Sequence, residues 1–346
     1  MSNHRILSIA SVNTRFVLLI TLFILSIAGC SNEKQTPHQA TIVVFGTLVD
    51  ITVYHEDAKQ ANLAIQQVEQ DFHRFHTQWH AWERGGIVSK INAAIASETP
   101  ITVADSVKQF ILTSQQLTRQ SQGLFDPGIG QLIALWGFHS EAWQGPPPSD
   151  QAIQAWLAHR PSLLDLYFEG HTLRSKNRYV QLDFGGNAKG LAINMALSSL
   201  EKAGIHNAIV SIGGDMKAMG LKNNQTWSVG IQSPQSPSKI LASLHLNSGE
   251  SIVTSGTYQR YFEWQGQRYA HVLNPNTGYP AHSFSSVTVL HPDAITADAA
   301  ATALLIAGPN DWLNIAQKMG VDHVLCLTET GDILQTPKMA SRLKMR

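Results

Sequence analysis

Tyr179-Val180-Gln181-Leu182-Asp183-Phe184-Gly185-Gly186-Asn187-Ala188-Lys189-Gly190 is the stretch on which the fold turns. Apolar and polar residues alternate up to Phe184, which predicts a strand. Two glycines follow, and an apolar helical pattern takes over through residue 203. Glycines at a strand-to-helix turn let the backbone approach a ligand closely, and the helix N-terminus offers free N–H groups to an anion. Neither GxxxxGK[ST] nor GxGxxG spacing is present, so this is not a nucleotide loop of either common type. Lys189 stands out because a helix dipole disfavours a cation in the first turn. Either it points to solvent or it is held there by an anion such as a phosphate. A similar unit recurs at Ala208-Ile209-Val210-Ser211-Ile212-Gly213-Gly214-Asp215, as a duplication or as a second tight turn.

Outward from this stretch, residues 41–54 are β-branched and alternating, which predicts one or two strands around Gly46. Residues 57–82 have helical period, with Ile65, Val68, Phe72, Phe75, Trp79 and Trp82 near one stripe. A second helix is predicted over residues 106–120, ending in the loop Gly123-Leu124-Phe125-Asp126-Pro127-Gly128. Short strands and glycine turns dominate residues 167–290, with a surface loop at 233–238. Helices are predicted over 296–307, stopping at Gly308-Pro309, and over 310–319. Gly145-Pro146-Pro147-Pro148 is the best internal boundary but is too short to link two domains. Strands and helices do not alternate strictly, which disfavours a doubly wound parallel sheet. The pattern predicts an α+β fold, with residues 41–346 as a single large domain of mixed, mostly antiparallel sheets and packed helices.

The 346 residues carry 25 basic and 25 acidic side chains, a formal charge of zero, and 43% are apolar. A nucleic-acid binder would need a basic surplus and a disordered chain a poorer core, so both are excluded. Residues 1–29 have a basic start, an apolar run over 16–28, and Ile27-Ala28-Gly29 before Cys30. This reads as a signal peptide. A cysteine placed after Ala-Gly resembles a bacterial lipobox, which implies that Cys30 is lipidated, that residues 30–40 tether the domain to a membrane, and that the protein faces the periplasm in the cell envelope. Cys326 then has no partner for a disulfide.

Other segments carry chemistry. Asp298 and Thr302 are four apart on a helix otherwise rich in Ala, Leu and Ile, so they share a face. A carboxylate and a hydroxyl there suit a hard cation, although a dipole-stabilised acid and a back-bonded hydroxyl would read the same. Thr254-Ser255-Gly256-Thr257-Tyr258-Gln259-Arg260-Tyr261 supplies hydroxyls and an arginine in a turn, and residues 271–280 run from His271 into an Asn/Pro/Gly turn. His73, His76 and His80 share a stripe but lie beside the aromatic one, without acidic or thiol company. No GxSxG elbow is present.

Together these segments resemble the ApbE family of FAD:protein FMN transferases, in that family's order. The matches are Phe45-Gly46-Thr47, Val88-Ser89-Lys90-Ile91-Asn92, Gly123 to Pro127 with Leu135-Trp136-Gly137-Phe138, Leu182 to Gly190, Ile212 to Asp215, Thr254 to Tyr258, His271 to Pro280, and Ala297-Asp298 to Thr302. Thr257 stands where Asp is frequent and Asn187 where Ile is common. The resemblance implies an ApbE-like, T-fold-related domain that transfers FMN from FAD to a Thr or Ser hydroxyl of an acceptor protein, a membrane redox-pump subunit, and releases AMP. It implies a flavin site of Phe45, Trp82, Leu124, Phe125, Asp126, Asp183, Lys189 and Val272, and Mg²⁺ on Gly186, Asp298 and Thr302. Trp82 also fits the core stripe of its helix. Lys189 would be a second cation for the pyrophosphate. His271 is the candidate base, because imidazole titrates near neutrality. The same site with water as acceptor would be an FAD pyrophosphatase, and without catalysis a lipid-anchored flavin-binding protein. With zero net charge, a polyanionic nucleotide must be met by local groups.

Overall fold

In the computed structural model, residues 36–140 and 143–346 are described. Residues 1–29, expected to be a signal peptide, and Cys30 lie outside them. β1 (Thr36–Val44) and β2 (Thr47–His55) form a hairpin whose turn residues Phe45 and Gly46 both have positive φ. The paired chain therefore begins at Thr36 rather than Thr41, and residues 36–40, expected in the tether, are strand. α1 (Ala58–Trp79) follows, capped by Asp57, then α2 (Ile87–Ala96), β3 (Ile101–Thr102) and α3 (Asp105–Gln120). Next come α4 (Gly130–Leu135), α5 (Asp150–His159), β4 (Leu166–Glu169), β5 (Thr172–Ser175), α6 (Ala188–Lys202), β6 (Ala208–Ile212) and β7 (Asp215–Met219). The C-terminal half adds β8 (Trp227–Ser233), β9 (Ser236–Leu246), β10 (Ser251–Gly256), β11 (Tyr261–Trp264), β12 (Gln267–Ala270) and β13 (Phe284–His291). It closes with α7 (Ala294–Lys318), β14 (Val324–Thr328), β15 (Ile333–Gln335), α8 (Pro337–Arg342) and β16 (Lys344–Met345).

Eight strands form the main sheet in the order β1-β2-β6-β7-β10-β13-β14-β15, every pair antiparallel. Alternation decides its two faces. Val49, Ile51, Val53, Val210 and Ile212 point to α1 and α6, while Val287, Val289, Val324 and Cys326 point to α7. On the other face Tyr54, Ile252, Leu290, Leu325 and Leu327 meet the small β8/β9 sheet through Trp227, Val229 and Leu244. The mixed α+β fold with mostly antiparallel pairing is the one expected, and residues 36–346 make one compact unit.

Three details differ from the sequence reading. Residues 179–184 are extended but form no regular strand. Gln181 makes an isolated parallel bridge to Ile129, and Asp183 N–H donates to the Pro127 carbonyl. Pro127 has no N–H to return, so the ladder stops there. The helices α2, α4, α5 and α8 were not expected, each being only six to ten residues long. The loop over 233–238 tightens into the β8–β9 turn, with Ser233 paired to Ser236. Gly308, at φ 69 and ψ −178, breaks α7 where Gly308-Pro309 was expected to stop it.

Helix α6 crosses α7 at Gly190. A Cβ there would lie 2.3 Å from the Ala294 carbonyl oxygen, closer than any side chain allows. This contact brings the start of α6 against the first turns of α7, and with it the residues described next.

Candidate active site

The close crossing puts Lys189 between two carboxylates. Its ammonium pairs with Asp215 and lies 3.8 Å from Asp298 Oδ1. Both acids are 2% exposed, so they need this partner. Burial alone would lower the Lys189 pKa, but Asp215 and Asp298 outweigh it and hold it raised. The cation at an unfavourable helix end is thus explained by protein carboxylates. Burial pushes the Asp298 carboxyl up to about 6, with Lys189 opposing and Asp215 adding to the rise. Asp298 Oδ2 accepts the Gly190 N–H at 3.0 Å, and Asp215 Oδ1 accepts that of Thr254 at 2.9 Å.

Oxygen donors cluster beside this pair. Thr302 Oγ1 is 3.2 Å from Ser255 Oγ, and a Cβ on Gly186 would come within 3.5 Å of that same Thr302 oxygen. Gly186 and Thr302 are therefore neighbours, and Asp298 stands one helical turn before Thr302. With Asp298 Oδ1 left beyond hydrogen-bond distance of any donor above, the set is all oxygen with a single carboxylate, which suits Mg²⁺ rather than a softer ion. Among the described residues no group of three or more His, Cys, Asp or Glu could hold a metal. His80 instead accepts the backbone N–H groups of Trp82 and Glu83, and His76 packs on Phe45.

The residues expected around a flavin fall into two groups. Trp82 Nε1 donates to Asp183 Oδ2 at 2.8 Å, and Asp183 Oδ1 takes the Gly185 N–H. Trp82 lies beyond the end of α1, so the core reading of this indole is wrong. Phe45 is half-buried at the hairpin turn, edge-on to Phe72 and Phe75. Val272 and Phe125 are buried in one cluster, with Leu124 against it. The Phe125 ring lies under Gly186. Asp126 turns inward: its carboxylate accepts the N–H groups of Gly128 and Leu163 and the Ser162 hydroxyl. Burial raises its pKa to about 6 against those bonds. Its side chain shapes the loop from within, and the Phe125 N–H and carbonyl both meet the Ser121 hydroxyl.

His271 is half-buried. Both its backbone N–H and its Nδ1 meet the Arg260 carbonyl, at 3.0 and 3.1 Å. A carbonyl can only accept, so Nδ1 carries the proton and Nε2 keeps its lone pair. Burial, then Arg260 and Lys189, push the imidazole down to about 4, so it is neutral at pH 7.

Three site residues were quoted in the sequence reading without a role of their own: Asp215 at the end of a tight turn, Ser255 among the turn hydroxyls, and Arg260 as the arginine of that turn. Thr257, where a carboxylate was missed, is buried and donates to Glu329 Oε1 at 2.9 Å.

The fold is that of the flavin transferases. It superposes on the ApbE protein of Thermotoga maritima with a TM-score of 0.82 at 29% identity, covering 89% of this chain and 99% of that one. For the Pseudomonas stutzeri flavinyl transferase ApbE the TM-score is 0.78 at 26% identity, covering 89% and 97%. The chain belongs to the ApbE family, whose sequence profile matches residues 45–325. It is 38% identical over 304 residues to the FAD:protein FMN transferase of Rhodobacter capsulatus, covering 88% of this chain and spanning 58% of that protein's length.

Proposed function

We propose that the chain transfers the FMN half of FAD to a Thr or Ser hydroxyl of an acceptor protein and releases AMP. The observation that carries this reading is the grouping of oxygen donors from Gly186, Thr302 and Asp298 next to Lys189, and a His271 whose Nδ1 is tied to the Arg260 carbonyl is the candidate base. In the reaction the acceptor oxygen bonds to the FMN phosphorus, His271 Nε2 takes the hydroxyl proton, and the bond to the AMP phosphate oxygen breaks. The Trp82–Asp183 pair, Phe45 and the backbone of residues 124–126 would position the flavin. Gly186, Asp298 and Thr302 would hold Mg²⁺, which when bound neutralises pyrophosphate charge. The bacterial lipobox around Cys30 supports a lipid-anchored protein of the cell envelope facing the periplasm, and an acceptor among membrane redox-pump subunits fits that location.

The test incubates the purified chain with FAD, Mg²⁺ and a candidate acceptor, then reads covalent flavin fluorescence on a denaturing gel and AMP in solution. Labelled acceptor with equimolar AMP is expected. AMP without label would make the chain a pyrophosphatase, and neither product despite FAD binding would make it a carrier.

A further inference from the structure

We propose that Arg260 is the residue that binds the diphosphate of the dinucleotide, a role that the charge of Lys189 cannot fill. The inference rests on the functional reading above for the identity of the ligand. Its physical basis is a charge inventory of the site. Lys189 is one cation against two buried carboxylates, so its charge is already spent within the protein; the Mg²⁺ proposed above would offset that cluster, and a phosphate beyond the metal's reach still needs a cation of its own. Arg260 is exposed and, among the described residues, lies within ion-pair distance of no carboxylate. Yet it is not a solvent-facing stray. Its Nη2 reaches back over the Phe45-Gly46 turn, 3.6 Å from where a Cβ of Gly46 would stand, and its guanidinium carbon sits 5.9 Å from the Trp143 ring centroid. The Trp143 ring is in turn parallel to His271, at 6.5 Å and 4°.

The backbone fixes the arrangement further. The Arg260 carbonyl receives both N–H donors of His271, so the Arg260 backbone and the imidazole are tied together, and the guanidinium is carried on that backbone beside Trp143. A cation held beside the base, close enough to depress its basicity and that of Lys189, costs the empty protein electrostatic energy. A bound polyanion removes that cost. Arginine's planar fork matches two phosphate oxygens at once, which an ammonium does not.

The experiment is equilibrium binding to the full purified chain, followed by fluorescence, with FAD and with riboflavin, which shares the ring system but has no phosphate. For Arg260→Gln, FAD affinity is expected to fall about 10- to 100-fold, the range for loss of a charge-assisted contact. Riboflavin affinity stays at the wild-type value, and Arg260→Lys falls in between. The salt dependence of FAD binding weakens in the Gln variant. Unchanged FAD affinity would overturn the proposal, and so would an equal loss for both ligands, which would mean that Arg260 acts through the fold. Failure of the wild-type chain to transfer FMN while these binding differences hold would sink the transferase reading alone. Failure of the wild-type chain to bind FAD would overturn both.

Discussion

The Trp82 indole and the Asp183 carboxylate, 101 residues apart in sequence, meet at 2.8 Å. The bond ties the segment after α1 to the segment before α6. Asp183 is also anchored by the Gly185 N–H, so the indole is oriented by a group that is itself held.

Replacing Trp82 by Phe keeps an aromatic surface and removes the donor. The lost bond is worth about 0.5–1.5 kcal/mol, so FAD affinity should weaken roughly 2- to 10-fold. Trp82→Ala removes the surface as well and should weaken it further. Fluorescence titration checks both, and equal affinities for the Phe variant and wild type would show that the bond does not orient the ring.

The proposed base role of His271 carries a pH dependence. Its folded pKa is about 4, against an ordinary value of 6.5. As the base, His271 would therefore stay competent down to weakly acidic pH, and its contribution to the transfer rate should be lost only as pH drops through about 4. Folding stability responds over a different window. Between 6.5 and 4 the unfolded chain binds the proton and the folded chain does not, so this group's contribution is complete above pH 6.5 and is lost as pH falls towards 4. A pH–rate inflection near 6.5, or a His271→Ala variant at full rate across pH 6–8, would remove the imidazole from the base role.

How far the sequence foretold this site depends on what kind of signal each residue carries. Asp298 and Thr302 were legible because polar groups on an apolar helix need a reason. Lys189 was legible as an anomaly, but its counter-charges lie 26 and 109 residues downstream, at Asp215 and Asp298, so no local pattern could identify them. Arg260 is informative because no carboxylate among the described residues pairs with it, a fact that exists only in three dimensions. The alternation at residues 179–184 was real, since Val180, Leu182 and Phe184 are buried in one cluster, yet alternation reports a buried face and not a ladder. The main sheet came through better, because β-branched alternation and glycine turns act locally.

Asp298 separates a structural role from a charge role. Asp298→Ala leaves the buried Gly190 N–H without an acceptor, at about 1–3 kcal/mol, and should lower the thermal midpoint. Asp298→Asn keeps an acceptor oxygen and should melt near wild type, while metal-dependent transfer falls at least about 100-fold. Chelating divalent cations should stop the wild-type enzyme to a similar extent. If the Asn variant retained metal-dependent transfer, the Mg²⁺ assignment would be wrong.

Gly190 links fold to site most directly, because the α6–α7 crossing holds Lys189 against Asp298. Alanine there would place a methyl 2.3 Å from the Ala294 carbonyl oxygen and 2.8 Å from the Ile295 Cα, both of them backbone atoms. Neither can rotate away, so the helices must part. Overpacking of this kind costs about 1–3 kcal/mol, and the shift also stretches the Gly190 N–H bond to Asp298. Gly190→Ala should therefore lower both the thermal midpoint and the transfer rate. Riboflavin affinity should change less than the rate, since Trp82, Asp183 and Phe45 do not depend on the crossing. A variant that melts like wild type with full activity would mean that the two helices can slide apart without disturbing the ion pair.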